Sequence, residues 1–409
     1  MTSKNKIIND PVLGFVSLPF TLLYDLLQHP YVQRLTRIRQ LGLSYFVYPG
    51  NTHTRFIHSL GAMHLTQEAI RHLRSRGHHI TDTEEEATLA AILLHDIGHG
   101  PFSHALEHVL IPYANHEEIT LLLTRRINNE ENFKGQLDLA IEIFTDNYPK
   151  HYLHQLISSQ LDMDRMDYLV RDSFFSGVRE GNVGADRLIK MLNVKDDRLV
   201  IEEKGIYSAE NFLIARRLMY WQVYLHKTAV AAETMLRHAI RRAKQLTALG
   251  TQLFASPALN HFLQSNHNLE TLSSDHAIQY YSLLDDADVL TALKVWQNHN
   301  DIILAKLCQG LINRQLFKVR QADSDEQLQP LQQQLIQHYS QHYHITPDEA
   351  EYFLSCGPVR SRTYDPSSDN ILILHRDGSV SELSDVSDIL NTRMLSKRTT
   401  RYYLCHLDI

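Results

Sequence analysis

Along the first 250 positions apolar residues recur at helical spacing. From Pro30 to Leu41, the residues Val32, Leu35, Ile38 and Leu41 fall three apart, with Arg34, Arg37 and Arg39 between them and Gly42 beyond; this pattern predicts one helix. A second helix is predicted from near Arg55 to Arg74, followed by Gly77. A third begins at Thr83, where Thr83 and Glu86 read as a capping box. It runs through the apolar stretch Ala87 to Leu94, reaches His95-Asp96 and breaks at Gly98. Asn115 with Glu118 marks another start, and Asp162 reads as the N-cap of a helix through Met166 and Leu169. Residues 197–207 read as a short hairpin, and Ser208 to about Leu246 as one long helix. Past residue 250 helical segments alternate with strand-like pieces such as Gln315 to Val319. The run ILILHRDGSVSEL carries Asp377-Gly378, a hairpin signal. The expected fold class is mostly α, with a helical core over residues 1–250. A smaller α+β region over 251–409 is expected to serve oligomerisation or regulation.

Composition narrows the function classes. A chain of 409 residues, 43% hydrophobic, can build a large core. Its 47 acids against 40 bases give −7, which excludes a chain-wide basic field for nucleic acid. Only local basic segments, Arg34–Arg39 and Arg237–Lys244, keep nucleic acid as a partner that is not favoured. Scarce Gly (16) and Pro (12) favour long helices. Cys308, Cys356 and Cys405 are far apart and form no disulfide framework, so a cytoplasmic location is expected. MTSKNKIINDPVLGF has no apolar run of the kind a signal peptide needs, and no membrane span is expected.

Eleven of the 25 histidines lie between His53 and His116, and there the chemistry concentrates. His78 and His79 read as a solvated loop, His64 and His108 as surface positions. His95 and Asp96 differ, because an apolar helix delivers both, and burying such groups is costly unless they find a partner. Imidazole with carboxylate suits Fe, Mn or Zn. His58 in TRFIHSLG and Asp164 in LDMDRMDYL are the natural further ligands, although spacing alone leaves a capped helix end as the commoner outcome for an isolated His-Asp pair.

The blocks QRLTRIRQLG, YPGNTHTRFIHSLG, HDIGHGPFSH, LDMDRMDYLVRD and YLHKTA, in that order over roughly residues 10–235, resemble the HD-domain metal phosphohydrolases. More narrowly, they resemble the deoxynucleoside triphosphate triphosphohydrolases. The resemblance implies an HD-domain helical core in which His58, His95, Asp96 and Asp164 hold one divalent transition metal. It places His99, His104, Glu107 and His116 around the reacting phosphate, with His104 as general acid and Glu107 orienting an imidazole. The family usually has Asp where Glu107 stands. Arg55, Arg165 and Arg216 would meet the triphosphate; Arg165 stands where the family has Lys. Gln40, Leu41, Tyr168, Asp172 and Tyr224 would recognise the sugar, Gln40 and Asp172 at the 3′-OH and Tyr224 against a 2′-OH. Arg314 and Lys318 resemble a regulatory phosphate-binding pair. Gln28 and Thr36, however, stand where animal members have an acid and an arginine that bind a guanine activator.

The implied reaction cleaves a dNTP to deoxynucleoside and inorganic triphosphate, by attack of metal-activated water on the α-phosphorus, with Mg accompanying the triphosphate. The implied partners are the dNTP substrate, a nucleotide activator and further copies of the chain in a dimer or tetramer. Two other readings stand beside it. One is an HD-class nucleotidase or phosphodiesterase acting on another nucleotide; the other is a regulatory protein that binds nucleotides or single-stranded nucleic acid.

Overall fold

The computed structural model describes residues 6–361, 370–388 and 399–408. Helices dominate, and small sheets lie at the periphery. At the centre the Arg55–Ser75 helix packs against Asp82–Leu94 on one side and Met163–Ser176 on the other. Asp82–Leu94 is buried nearly all round, including Leu89, Ala90, Ile92 and Leu93, which is why its sequence reads as a continuous apolar run rather than a stripe. Among the described residues no helix is long and apolar enough to cross a membrane.

Several boundaries differ from the sequence reading. The third helix is capped by Thr81, not Thr83. Thr81 Oγ1 accepts from the Glu84 amide at 3.2 Å, and Glu84 Oε2 accepts from the Thr81 amide at 2.7 Å. Both Thr-x-x-Glu pairs fit the motif. The earlier one prevails because Tyr148 and Lys150 also bond the Glu84 carboxylate, at 2.7 and 2.9 Å. The segment from Pro30 is helical only to Arg34, tightens over Leu35–Arg37 and then extends. Its backbone finds better partners across the fold: the Gln40 amide donates to His53 O, and the Arg55 amide donates to Ile38 O. That exchange lays Gln40 beside the start of the central helix.

The long helix after Ser208 is two helices, Ile206–Met219 and Lys227–Ala248. A wide π turn over Tyr220–Tyr224 separates them, and the His226 ring restarts the helix by accepting from the Thr228 amide. The hairpin lies earlier than 197–207: Leu192–Lys195 pairs antiparallel with Arg198–Glu202 around Asp196-Asp197, both left-handed. The strand read at Gln315 to Val319 occupies Lys318–Ala322. The helix starts at Asn115 and Asp162 and the turn at Asp377-Gly378 are as read.

The Asp377-Gly378 hairpin does not stand alone. Its first strand, Leu372–Leu374, pairs parallel with Arg198–Glu202, so a segment near the C-terminus completes a four-stranded sheet begun before residue 200. A separate three-stranded sheet places Thr399–His406 between Lys318–Ala322 and Leu354–Ser361.

Candidate metal centre and adjoining pocket

Four side chains from two helices and one helix end meet. His58 Nε2 lies 3.0 Å from Asp164 Oδ1 and 3.8 Å from Asp96 Oδ2, and His95 Nε2 lies 3.4 Å from carboxylate oxygens of both Asp96 and Asp164. Ligand atoms of His58, His95 and Asp96 fall within 4.8 Å of one another. Two glycines permit this approach. A Cβ on Gly61 would sit 2.0 Å from Asp167 Oδ1, and one on Gly98 would sit 2.1 Å from the His116 carbonyl.

The donor chemistry fits a divalent cation. His58 Nδ1 is bonded to Asp167 Oδ2 at 2.7 Å, and His95 Nδ1 donates to the Ile92 carbonyl at 2.6 Å. Each ring therefore turns its Nε2 lone pair to the shared centre, the tautomer that a metal ligand needs. Among the described residues His95 Nε2 has no hydrogen-bond partner. Burial opposes a charge on His58, but the bonds to Asp164 and Asp167 outweigh it and push its pKa up to about 10. A cation would take the place of that proton. Burial likewise opposes charge on Asp96 and Asp164; the neighbouring His95, Arg55 and His58 overcome it and hold both carboxyls below the ordinary range. Asp164 has a 26% exposed side chain against 1% for His58, so it forms the open side of the cluster.

Arg55 is buried, with Nη1 on Asp96 Oδ2 at 2.6 Å and Nη2 on Ser103 Oγ at 2.7 Å; it fixes a candidate ligand as well as carrying charge. His99 Nε2 lies 3.3 Å from Asp96 Oδ1, and the His99 ring stacks on His116 at 4.0 Å. Burial, helped by the Arg55 charge, holds the His99 pKa well below its usual value, so this ring is neutral. His116 Nδ1 bonds Glu107 Oε1 at 2.6 Å, and that bond depresses the Glu107 carboxyl to about 2. The extra methylene of Glu107 leaves this reach intact. His104 belongs to the Ser103–Leu110 helix, but its side chain lies outside the described residues.

Beside the cluster is a cavity of about 420 Å³, lined by Gln40, Leu41, Tyr168, Asp172 and Tyr224 among others, so all five sugar-site candidates come together. Asp172 accepts from Tyr224 Oη at 2.9 Å and pairs with His53 Nε2 at 2.8 Å. Gln40 Oε1 is buried with no partner among the described residues. Burial and Tyr220 raise the Tyr168 pKa, against the pull of Arg216 and Arg165, which places both cations at this wall. Arg165 also pairs with the N-capping Asp162, and Arg216 bonds Gln160 at 3.1 Å. Arg314 and Lys318 are elsewhere: Arg314 donates to the Phe46 carbonyl at 3.0 Å, and Lys318 pairs with Asp408 at 3.2 Å. His108 is exposed as read, whereas His64 is half-buried.

The sequence reading missed the residues behind this layer. Asp167 orients His58 and is itself clamped by Arg171, which also reaches Asp10 at 2.8 Å. Asp286 accepts from the amides of Arg39 and Phe102, at 3.0 and 3.1 Å, and Phe102 holds a left-handed φ of 47° next to Ser103. Asp167 had a readable signal, three residues after Asp164 and four before Arg171. Asp286, more than 180 positions from the loop it holds, had none.

Residues 55–172 match the HD domain family, and residues 183–257 match the HD associated region. The fold superimposes on a phosphohydrolase from Bacteroides thetaiotaomicron with a TM-score of 0.93, at 54% identity over 99% of this chain and 100% of that one. The uncharacterized Bacillus subtilis protein YwfO is 32% identical over 97% of this chain and 91% of its own. The human deoxynucleoside triphosphate triphosphohydrolase SAMHD1 is 28% identical over 58% of this chain and 44% of its own length. On its sequence blocks, its helical architecture and the meeting of His58, His95 and Asp96, the chain belongs to the HD-domain phosphohydrolases.

Proposed function

We propose that this protein hydrolyses deoxynucleoside triphosphates to deoxynucleoside and intact inorganic triphosphate. The observation that carries the reading is one continuous site: a four-ligand cluster, three arginines and a nucleoside-sized cavity whose Asp172–Tyr224 pair forms a polar wall. The relationship to SAMHD1 supports the substrate class. His58, His95, Asp96 and Asp164 would hold a divalent transition ion (Fe, Mn or Zn). Such an ion lowers the pKa of a bound water and draws charge from a phosphate oxygen.

The remaining work belongs to the protein's own side chains. Arg55 anchors Asp96. Arg165 and Arg216 offset the charge of the triphosphate, which would bring its own Mg. Asp172 and Gln40 bond the sugar hydroxyl, and Tyr224 packs where a 2′-OH would stand. The leaving 5′ oxygen needs a proton. His104 supplies it, an assignment that rests on the family resemblance. His116, steered by Glu107, and the neutral His99 bond phosphate oxygens at the open side of the cluster. Arg314 and Lys318 are assigned to an activator phosphate between copies of the chain.

The test is product analysis. Each dNTP, singly and in mixtures, is incubated with the protein, and products are resolved by phosphorus NMR. Intact tripolyphosphate in equal amount to deoxynucleoside is expected, and it should vanish in His95→Ala and Asp96→Ala. Stepwise release of orthophosphate, or turnover that survives both substitutions, would contradict the proposal.

A further inference from the structure

Glu233 is a half-buried acid that no described group of the fold pairs with. It lies on the Lys227–Ala248 helix one turn after Ala229, and both residues line the 420 Å³ cavity. Its carboxylate makes no hydrogen bond and no ion pair within 4 Å among the described residues. Arg237, one turn further on, acts on it only through charge at longer range. Leu43, Phe102, Ala105 and Ala229 give the same cavity much of its apolar lining. An unpaired carboxylate set in such a wall is costly unless an occupant of the cavity bonds it.

The position limits which part of an occupant that is. Phosphates belong with Arg165, Arg216 and the metal cluster, and a carboxylate would repel them. Tyr224, which bonds Asp172, lies just before the Lys227–Ala248 helix, whereas Glu233 is six residues into it, ~9 Å along its axis. With the phosphates held by those cations, the nucleoside end of an occupant is what is left to face Glu233 in the cavity. Carboxylates accept hydrogen bonds from exocyclic amines of bases such as cytosine, and thymine has no such amine.

We infer that Glu233 determines base preference by accepting a hydrogen bond from the exocyclic amine of adenine, cytosine or guanine. The inference rests on the nucleotide reading of the cavity. Burial pushes this carboxyl up to about 7, against the pull of Arg237, consistent with an acid held in reserve for a ligand.

The test compares the wild type with Glu233→Gln and Glu233→Ala. Specificity constants are measured for dATP, dCTP, dGTP and dTTP. In Glu233→Ala the preference for the three amine-bearing substrates over dTTP should fall by roughly tenfold, as for a lost hydrogen bond in a desolvated site. Glu233→Gln, which keeps an acceptor oxygen, should fall between. The melting temperature of neither variant should drop, because no partner in the fold is lost. An unchanged preference, or a melting temperature lowered by several degrees, overturns the inference. Should the wild type hydrolyse no dNTP, the triphosphohydrolase reading fails by itself. Glu233 is then tested by calorimetric binding of deoxyadenosine against thymidine to wild type and Glu233→Ala. A Glu233-dependent preference for deoxyadenosine sustains the inference; no binding, or no preference, overturns it.

Discussion

Both histidines at the centre have their second nitrogen committed, His58 to Asp167 and His95 to the Ile92 carbonyl. Replacing Asp167 by Asn keeps the shape but removes the charge that orients His58 and pairs with Arg171. Metal affinity should fall roughly 10–100-fold, the usual cost of losing such a support, and activity should return as metal is added back. Titration of the purified variant with Mn or Zn, followed by elemental analysis, checks this. The four side chains that meet were legible as candidate ligands because His-Asp at the end of an apolar helix is chemically conspicuous and the surrounding blocks are specific. Asp167 carries a signal in its spacing to Asp164 and Arg171, but Asp167–Arg171 at i, i+4 reads like an ordinary exposed pair, and only the fold shows that both are fully buried. Arg55 was read as a phosphate cation; its bond to Asp96 depends on a contact 41 positions away that no local pattern reveals.

Periodicity placed most helices but not their ends. It failed where polar side chains chose between equivalent signals, as at Thr81 and Thr83, and where the backbone left the helix to bridge the His53–Arg55 segment, as at Ile38–Gln40. The turn over Tyr220–Tyr224 is invisible to an apolar count, yet it aims Tyr224 at Asp172. The cap at Thr81 offers an element-scale test through Glu84, whose carboxyl burial would raise. Bonds from Lys150, Thr81 and Tyr148 depress it instead to about 2. The folded-state pKa lies below the ordinary value of 4.5, so the stabilisation is complete above that pH and fades as pH falls towards 2. Glu84→Gln should therefore destabilise the protein by about 1 kcal/mol near neutral pH. The gap to wild type should close on acidification, measured by urea unfolding from pH 7 to pH 3. A gap independent of pH would refute the assignment.

At the scale of the molecule, the loop that follows the His-Asp pair is held from the far half of the chain. Tyr281 Oη donates to the Gly98 carbonyl at 2.6 Å; Arg34 bridges the carbonyls of Ile97, His99 and Leu284; Asp286 takes the Phe102 amide. Asp286→Ala frees the amides of Arg39 and Phe102, the latter buried and left-handed, so turnover should drop several-fold while bound metal, held by other residues, stays at the wild-type level. Parallel activity and elemental measurements distinguish this from loss of the centre. The strand Leu372–Leu374 ties the far half back a second time, along Arg198–Glu202. A version trimmed to residues 55–257 would strip that neighbour away and bare a row of amides and carbonyls on an apolar ribbon. Such surfaces recruit one another. Aggregates, rather than a tidy small enzyme, are what a shortened gene product would yield.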